Sequence, residues 1–176
     1  MRCNRYRAIC FFLAIALISA SAFSGCSRVV APDSVVRSLV ENEKNRVSGR
    51  FYSLSAAEGE EGYVSDVTLT TLYGFDRSLE GLADGAIYLS DFLHPIEFAV
   101  FFCHSTATTE DVALRLTSRL KALYKGAYEN AGFASMPLEE YRAYVEDAEV
   151  VISGELVALI ISADTESAKK VFFRAS

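Results

Sequence analysis

Histidine and cysteine, the side chains that most often carry chemistry, are scarce in this chain: two histidines and four cysteines among 176 residues. His94 and His104 are too few for a zinc site, which needs three or four convergent protein ligands. Asp91, His94 and Glu97 are spaced three apart, which gathers side chains only on a helix, and Pro95 argues against a helix there. Cys103 adjoins His104, but neighbours on a strand point to opposite faces and do not form a nucleophile and its base. Ser105 and Ser153 stand in no nucleophile-elbow context, since Ser153-Gly154-Glu155 reads as a turn. Glu139 and Glu140 are adjacent and diverge on a helix, so they read as a solvated face rather than a catalytic carboxylate pair. The glutamates of Glu58-Gly59-Glu60-Glu61-Gly62 lack the alternating oxygen ligands of a calcium loop and read as a flexible acidic loop. No catalytic residue, metal ligand or cofactor is assigned from these patterns.

Basic charge is also in short supply, and the 17 Lys and Arg are outnumbered by 23 Asp and Glu. Three of the basic residues, Arg2, Arg5 and Arg7, open the chain, and Ala8 to Ala20 is then an apolar run broken only by Ser19. Phe23-Ser24-Gly25-Cys26 follows. This resembles the bacterial lipobox, which implies that a signal peptidase recognises Phe23, Ser24 and Gly25, cuts before Cys26 and leaves that cysteine acylated by palmitate-type chains. Leu is commoner where Phe23 stands. A signal anchor or an ordinary secretory peptide shares the basic start, but Ala8 to Ser24 is slightly short of a stable membrane span. Without the leader the chain carries 14 basic against 23 acidic residues, a net charge of −9. Phosphate binding is largely neutralisation by Lys and Arg, so nucleic acid is not an expected partner. The lipid on Cys26, not a basic patch, is what would hold the protein at the membrane. Cys3 and Cys10 leave with the leader and Cys26 is consumed, which leaves Cys103 alone and no intramolecular disulfide.

The remaining sequence is one ordinary domain in length and shows no internal repeat. Asp33 is placed to cap a helix with Val35, Val36, Leu39, Val40 and Val47 largely on one side, ended by Gly49. A short helix from Asp66 to Leu72 stops at Tyr73-Gly74. Strands are predicted at Ala86–Phe92 and Ile96–His104, separated by Leu93-His94-Pro95. Thr108 with Asp111 resembles a capping box, and Val112, Leu116, Leu120, Leu123 and Ala127 form a core-facing stripe that closes by Gly132. Pro137 opens a helix over Leu138–Glu146 carrying Tyr141 and Tyr144. Glu149–Ser153 and Leu156–Ser162 flank Gly154-Glu155 as a type II′ hairpin. Asp164 or Thr165 caps a last helix with Ala168, Val171 and Phe172 on one face.

This order predicts an α+β fold, a two-layer sandwich with a mostly antiparallel sheet of about four strands. Residues 1–25 form the removed signal peptide, 26–65 the lipidated N-terminus, helix and acidic loop, and 66–176 the α+β domain. Leu72-Tyr73-Gly74, Glu97-Phe98-Ala99-Val100-Phe101, the long helix to Tyr128, Ala148-Glu149-Val150-Val151 with Gly154, and Ala168-Lys169-Lys170-Val171-Phe172 together resemble the small bacterial lipoproteins that carry domain of unknown function 4358. Many such relatives have a lysine where this chain has Phe102-Cys103-His104. The resemblance implies a location and a fold and supplies no activity.

Both parities of the strand at 96–104 are apolar, as are both parities of 156–161, whereas a sheet with one wet face should alternate. Ala99, Phe101, Ala158 and Ile160 are therefore a candidate interaction face. Either the helix carrying Val35, Val36, Leu39 and Val40 covers them, or another molecule does. Two functions follow. The chain is an extracytoplasmic module, lipid-anchored to the bacterial cell membrane, that binds an unknown envelope protein or ligand, or it is an accessory cell-envelope hydrolase whose site has no recognisable motif.

Overall fold

The computed structural model describes residues 30–44, 48–91, 95–129 and 137–176, with the side chains of 127–129 excepted. The leader and lipobox, Val47, His94 and Gly132 lie outside these residues, as does the side chain of Ala127 in the predicted stripe.

The first helix, α1 (Pro32–Asn42), starts one residue before the expected cap. Pro32 occupies the first turn, where its missing N–H is no loss, and Ala31 is the N-cap with no side-chain bond. It also stops well before Gly49. Glu43 is already extended, and its carboxylate accepts from Ser162 Oγ at 2.6 Å. Gly49 instead opens β1 (Gly49–Ser53), a strand the sequence reading did not contain. A Cβ at Gly49 would lie 2.5 Å from the Tyr88 ring and the Leu89 carbonyl, so only glycine fits against β2 there. After the acidic loop, Ser65 caps α2 (Asp66–Tyr73) by accepting from the Thr68 N–H, and Gly74 ends it at φ +75°.

Strands β2 (Leu82–Ser90) and β3 (Glu97–Cys103) follow. The cap of α3 (Thr106–Glu129) is Ser105, whose Oγ accepts from the Thr108 N–H at 3.1 Å. Thr108 is inside the helix, where its hydroxyl donates to the Glu80 carbonyl at 3.2 Å. The second half of the chain matches its local signals closely, with α4 (Leu138–Glu146) after Pro137, then β4 (Glu149–Ser153) and β5 (Leu156–Ile161). Gly154 between them has φ +59°, and Glu155 has none of the positive φ that a type I′ turn would need, so the turn is type II′. Asp164 caps α5 (Thr165–Ala175), accepting from the Ser167 N–H at 3.0 Å.

The chain is α+β, with five strands in the order β1-β2-β3-β5-β4, every neighbouring pair antiparallel. Register assigns the faces. Phe98 lies opposite Tyr88 and Ile160, and Val100 opposite Ala86 and Ala158, so these share one face. Ala99 lies opposite Ile87 and Leu159, and Phe101 opposite Val157, on the other. Helices α1 and α5 pack on the Phe98 face. Arg37 of α1 stands 4.3 Å above the Phe51 ring, and Lys169 of α5 reaches Glu149, opposite Ile160. Helices α2 and α3 pack on the Phe101 face, with α4 against α3.

Two expectations are corrected by this arrangement. Helices on both sides make three layers rather than two, which is why both faces are apolar. The candidate interaction face is divided, with Ala99 and Phe101 under α2 and α3 and Ala158 and Ile160 on the side of α1 and α5, and all four are 0% exposed. The reading that a helix covers the second face is the one observed, although α1 covers the Phe98 side only. Because β1 pairs with β2 and α1 packs on β2, β3 and α5, residue 65 does not divide the folded unit.

Candidate functional site

A polar cluster in the interior is built around Glu97, the first residue of β3. Its position in the strand points it to the Phe101 face, and the residue is only 4% exposed. A lone carboxylate there would be costly to bury. Two elements supply its partners. Tyr73, the last residue of α2, donates from Oη to Glu97 Oε1 at 2.9 Å, and Arg119 of α3 donates from Nη2 to Glu97 Oε2 at 3.0 Å. Arg119 follows Leu116 by three residues, so the turn of α3 that packs Leu116 into the core also delivers the guanidinium to the sheet.

The electrostatics of the cluster are mutual. Burial pushes the Tyr73 phenol well above its ordinary range, and the adjacent Glu97 charge pushes it further. Burial works against the Arg119 cation, but the Glu97 carboxylate outweighs it and the guanidinium is held more firmly protonated. Tyr141 of α4 is also pushed up, by burial first and by Glu97, with Arg119 opposing. An aromatic wall closes one side. Phe101 meets Tyr73 edge-on at 5.5 Å and Phe75 at 5.1 Å. Such an arrangement holds a neutral phenol and a paired charge in fixed positions. It offers no nucleophile and no open coordination position, so its evident effect is to tie α2 and α3 to the sheet.

Among the described residues, two surface depressions bring polar groups together. One, of about 340 Å³, is lined by Leu54, Ser55, Arg77, Leu82, Ala83 and Asp84. In it Ser55 Oγ donates to Asp84 Oδ1 at 3.2 Å, and the Arg77 guanidinium lies 4.7 Å from the Tyr63 ring centre. The other, of about 390 Å³, lies where α4 leads into β4 and β5 leads into α5, and gathers Glu146, Asp147, Glu149, Asp164 and Glu166. Lys169 Nζ bonds both Glu149 and Glu166 at 2.9 Å, and Lys44 pairs with Asp164, so part of this negative charge is neutralised internally. Among the described residues no group of His, Cys, Asp and Glu has the arrangement of a metal site.

The candidates weighed from sequence are dispersed. Asp91 is exposed while Glu97 is committed to Tyr73 and Arg119, so these two do not converge. Cys103 is fully buried, and burial pushes its thiol up against the opposing hydrogen bond from Thr109. His104 is exposed and stacks edge-on with Phe102 at 5.5 Å. Ser105 is a helix cap, and Ser153 Oγ accepts from Ser176 Oγ at 2.8 Å. Glu139 and Glu140 are exposed in the first turn of α4, and Glu58, Glu60 and Glu61 are exposed in their loop, where Glu60 accepts from the Ala57 N–H at 2.8 Å. Sequence reasoning missed Tyr73 and Arg119 as a pair. The available signal was Glu97 itself, a charge in the same parity as Ala99, Phe101 and Cys103.

No family model, no curated protein and no solved structure matches this chain.

Proposed function

We propose that this chain is a membrane-anchored extracytoplasmic lipoprotein whose folded part is a non-catalytic binding or interaction module at the cell envelope. The observation that carries the reading is the leader ending in Phe23-Ser24-Gly25-Cys26, followed within six residues by α1. An extended chain from Cys26 to Pro32 spans at most about 20 Å, so acyl chains on Cys26 would hold the domain close to the bilayer. Among the described residues no helix is long and apolar enough to cross a membrane. Likeness to lipoproteins with domain of unknown function 4358 points the same way and rests on the order of elements alone. The interior groups are committed to packing: Glu97 binds Tyr73 and Arg119 and so ties two helices to the sheet, and the buried Cys103 thiol is pushed away from the thiolate.

Expression of the full chain in a bacterial host tests this. The mature protein should begin at Cys26, carry the mass of the acyl chains and enter the detergent phase on partitioning. Cys26→Ser should abolish all three properties. An unmodified Cys26 at the mature N-terminus would overturn the reading.

A further inference from the structure

The sheet has two edges, and the chain treats them differently. Along β1 the loop doubles back: the Ser53 N–H donates to the Gly62 carbonyl at 2.9 Å, and Tyr63 forms a parallel bridge with Ser53. Gly62 comes so near that a Cβ on it would lie 3.2 Å from the Phe51 carbonyl. That edge is blunted by the protein itself.

Among the described residues the edge at β4 has no such cover. Its hairpin with β5 has a two-residue turn, so Ser153 and Leu156 are a hydrogen-bonded pair, and Val151 and Glu149 likewise face Ala158 and Ile160. The N–H and C=O groups of Val150 and Ile152 therefore point outward. Among the described residues no hydrogen bond to these four outward groups is made by backbone or side chain. The strand Glu-Val-Val-Ile-Ser contains no proline and no lysine and has no bulge in its register, and the Ile152 side chain is 44% exposed. These are the features that protected edges avoid.

We propose that β4 pairs antiparallel with β4 of a second copy of this chain, about a twofold axis through Val151, joining two five-stranded sheets into one of ten. The outward residues lie one on each side of Val151. In this register Val150 faces Ile152 of the second copy and Ile152 faces its Val150, and both are hydrogen-bonded pairs, so four bonds satisfy all four open groups on each edge. The side chains agree with the backbone. Val150 and Ile152 lie on the same face, opposite Leu159 and Val157, so each cross-axis pair is apolar against apolar. Glu149 faces Ser153 of the second copy, and its charge is already held by Lys169. Like charges approach only at Asp147 and Glu155, which are exposed and lie beyond the paired segment. A shift of two residues would leave outward groups unpaired, and this self-matching is why a second copy, rather than an unrelated strand, is the partner the edge fits. The inference does not depend on the lipid anchor.

Five residues of edge make a small interface, so sedimentation of the full chain in density-matched detergent should extend to about 100 µM. Concentration-dependent dimers are expected, with Ile152→Lys weakening association at least tenfold and Val67→Lys, at an exposed apolar side chain of α2, leaving it unchanged. Val151 meets its own copy at a non-hydrogen-bonded position, where Cα atoms are about 4.5 Å apart, within disulfide range. Val151→Cys should therefore crosslink on oxidation above the level of the unsubstituted chain, and Ser153→Cys, which faces Glu149, should not. A monomer throughout, a dimer indifferent to Ile152→Lys, or crosslinking equal at positions 151 and 153 would each overturn the proposal.

Discussion

On the face of the sheet that carries Phe98, Val100, Ala158 and Ile160, the cover is α1 and α5, and Val35, Val36 and Leu39 of α1 are 0% exposed. On the face that carries Ala99 and Phe101, the cover is α2 and α3 with α4 behind, and an ionised pair, Glu97 with Arg119, is enclosed with a phenol. The first face is held mostly by apolar area, with polar ties from Glu43 to Ser162 and from Lys169 to Glu149, and part of its cover, α1, comes from the far N-terminal end of the described residues. The second adds directional contacts that fix where α2 and α3 sit. Area tolerates approximate packing, whereas a buried charge does not tolerate the loss of its partner. The two faces should therefore fail in different ways.

The largest effect is expected from removing α1. Stripping three fully buried aliphatics at about 1.5–3 kcal/mol each removes roughly 5–9 kcal/mol, comparable with the entire stability of a small domain. A chain lacking residues 27–48 should bind a hydrophobic dye and lose its cooperative thermal transition. Leu39→Ala alone should cost about 2–5 kcal/mol in denaturant titrations. If the truncated chain melted as before, α1 would be a tether to the membrane and not part of the Phe98 face.

A smaller effect with a sharper signature is expected on the other face. Arg119→Met leaves the Glu97 carboxylate buried beside a phenol and should cost about 3–5 kcal/mol, while Glu97→Leu with Arg119→Met should recover most of that loss. A double variant as unstable as the single would show that the ion pair is not the tie between α3 and the sheet. Tyr73 adds a pH dependence of fixed sign. Its phenol is raised in the folded state, so the unfolded chain ionises first as pH rises. The contribution is complete below the ordinary tyrosine range and is lost above it. Tyr88 and Tyr141 are shifted in the same direction, so the measurement is the difference from Tyr73→Phe, which should flatten the decline in stability between about pH 9 and 11.

The same division separates what the sequence made legible from what it did not. Pro137, Gly154 and Asp164 are local signals whose chemistry is complete within a few residues, and α4, the hairpin and α5 follow them closely. β1 has only Arg50-Phe51-Tyr52 to announce it, and it is a strand because β2 is beside it. Parity within a strand is readable, but the offset between two strands is not. Even positions of β3 pair with even positions of β5, so Ala158 belongs with Val100 and not with Ala99. That one fact divides the candidate interaction face between two sides of the sheet. Glu97 could be suspected from its apolar neighbours. Its partners, 24 residues before it and 22 after it, are brought in by packing that no local pattern encodes.

The smallest effect distinguishes reactivity from packing on the Phe101 face. Cys103 shares that face with Glu97, Ala99 and Phe101, is fully buried, and has its thiol pushed up by burial, with only the Thr109 hydroxyl opposing. The thiolate is the reactive form, so both access and ionisation act against alkylation. In the native protein a polar alkylating reagent, followed by peptide mapping to distinguish Cys103 from the leader cysteines, should label this position slowly; after denaturation it should label quickly. Cys103→Ala removes one buried sulfur and should cost only about 1 kcal/mol, well below the Arg119 substitution on the same face. Rapid native labelling would mean that the end of β3 opens to solvent while the fold persists. The Phe101 face would then be the more mobile of the two despite its ion pair.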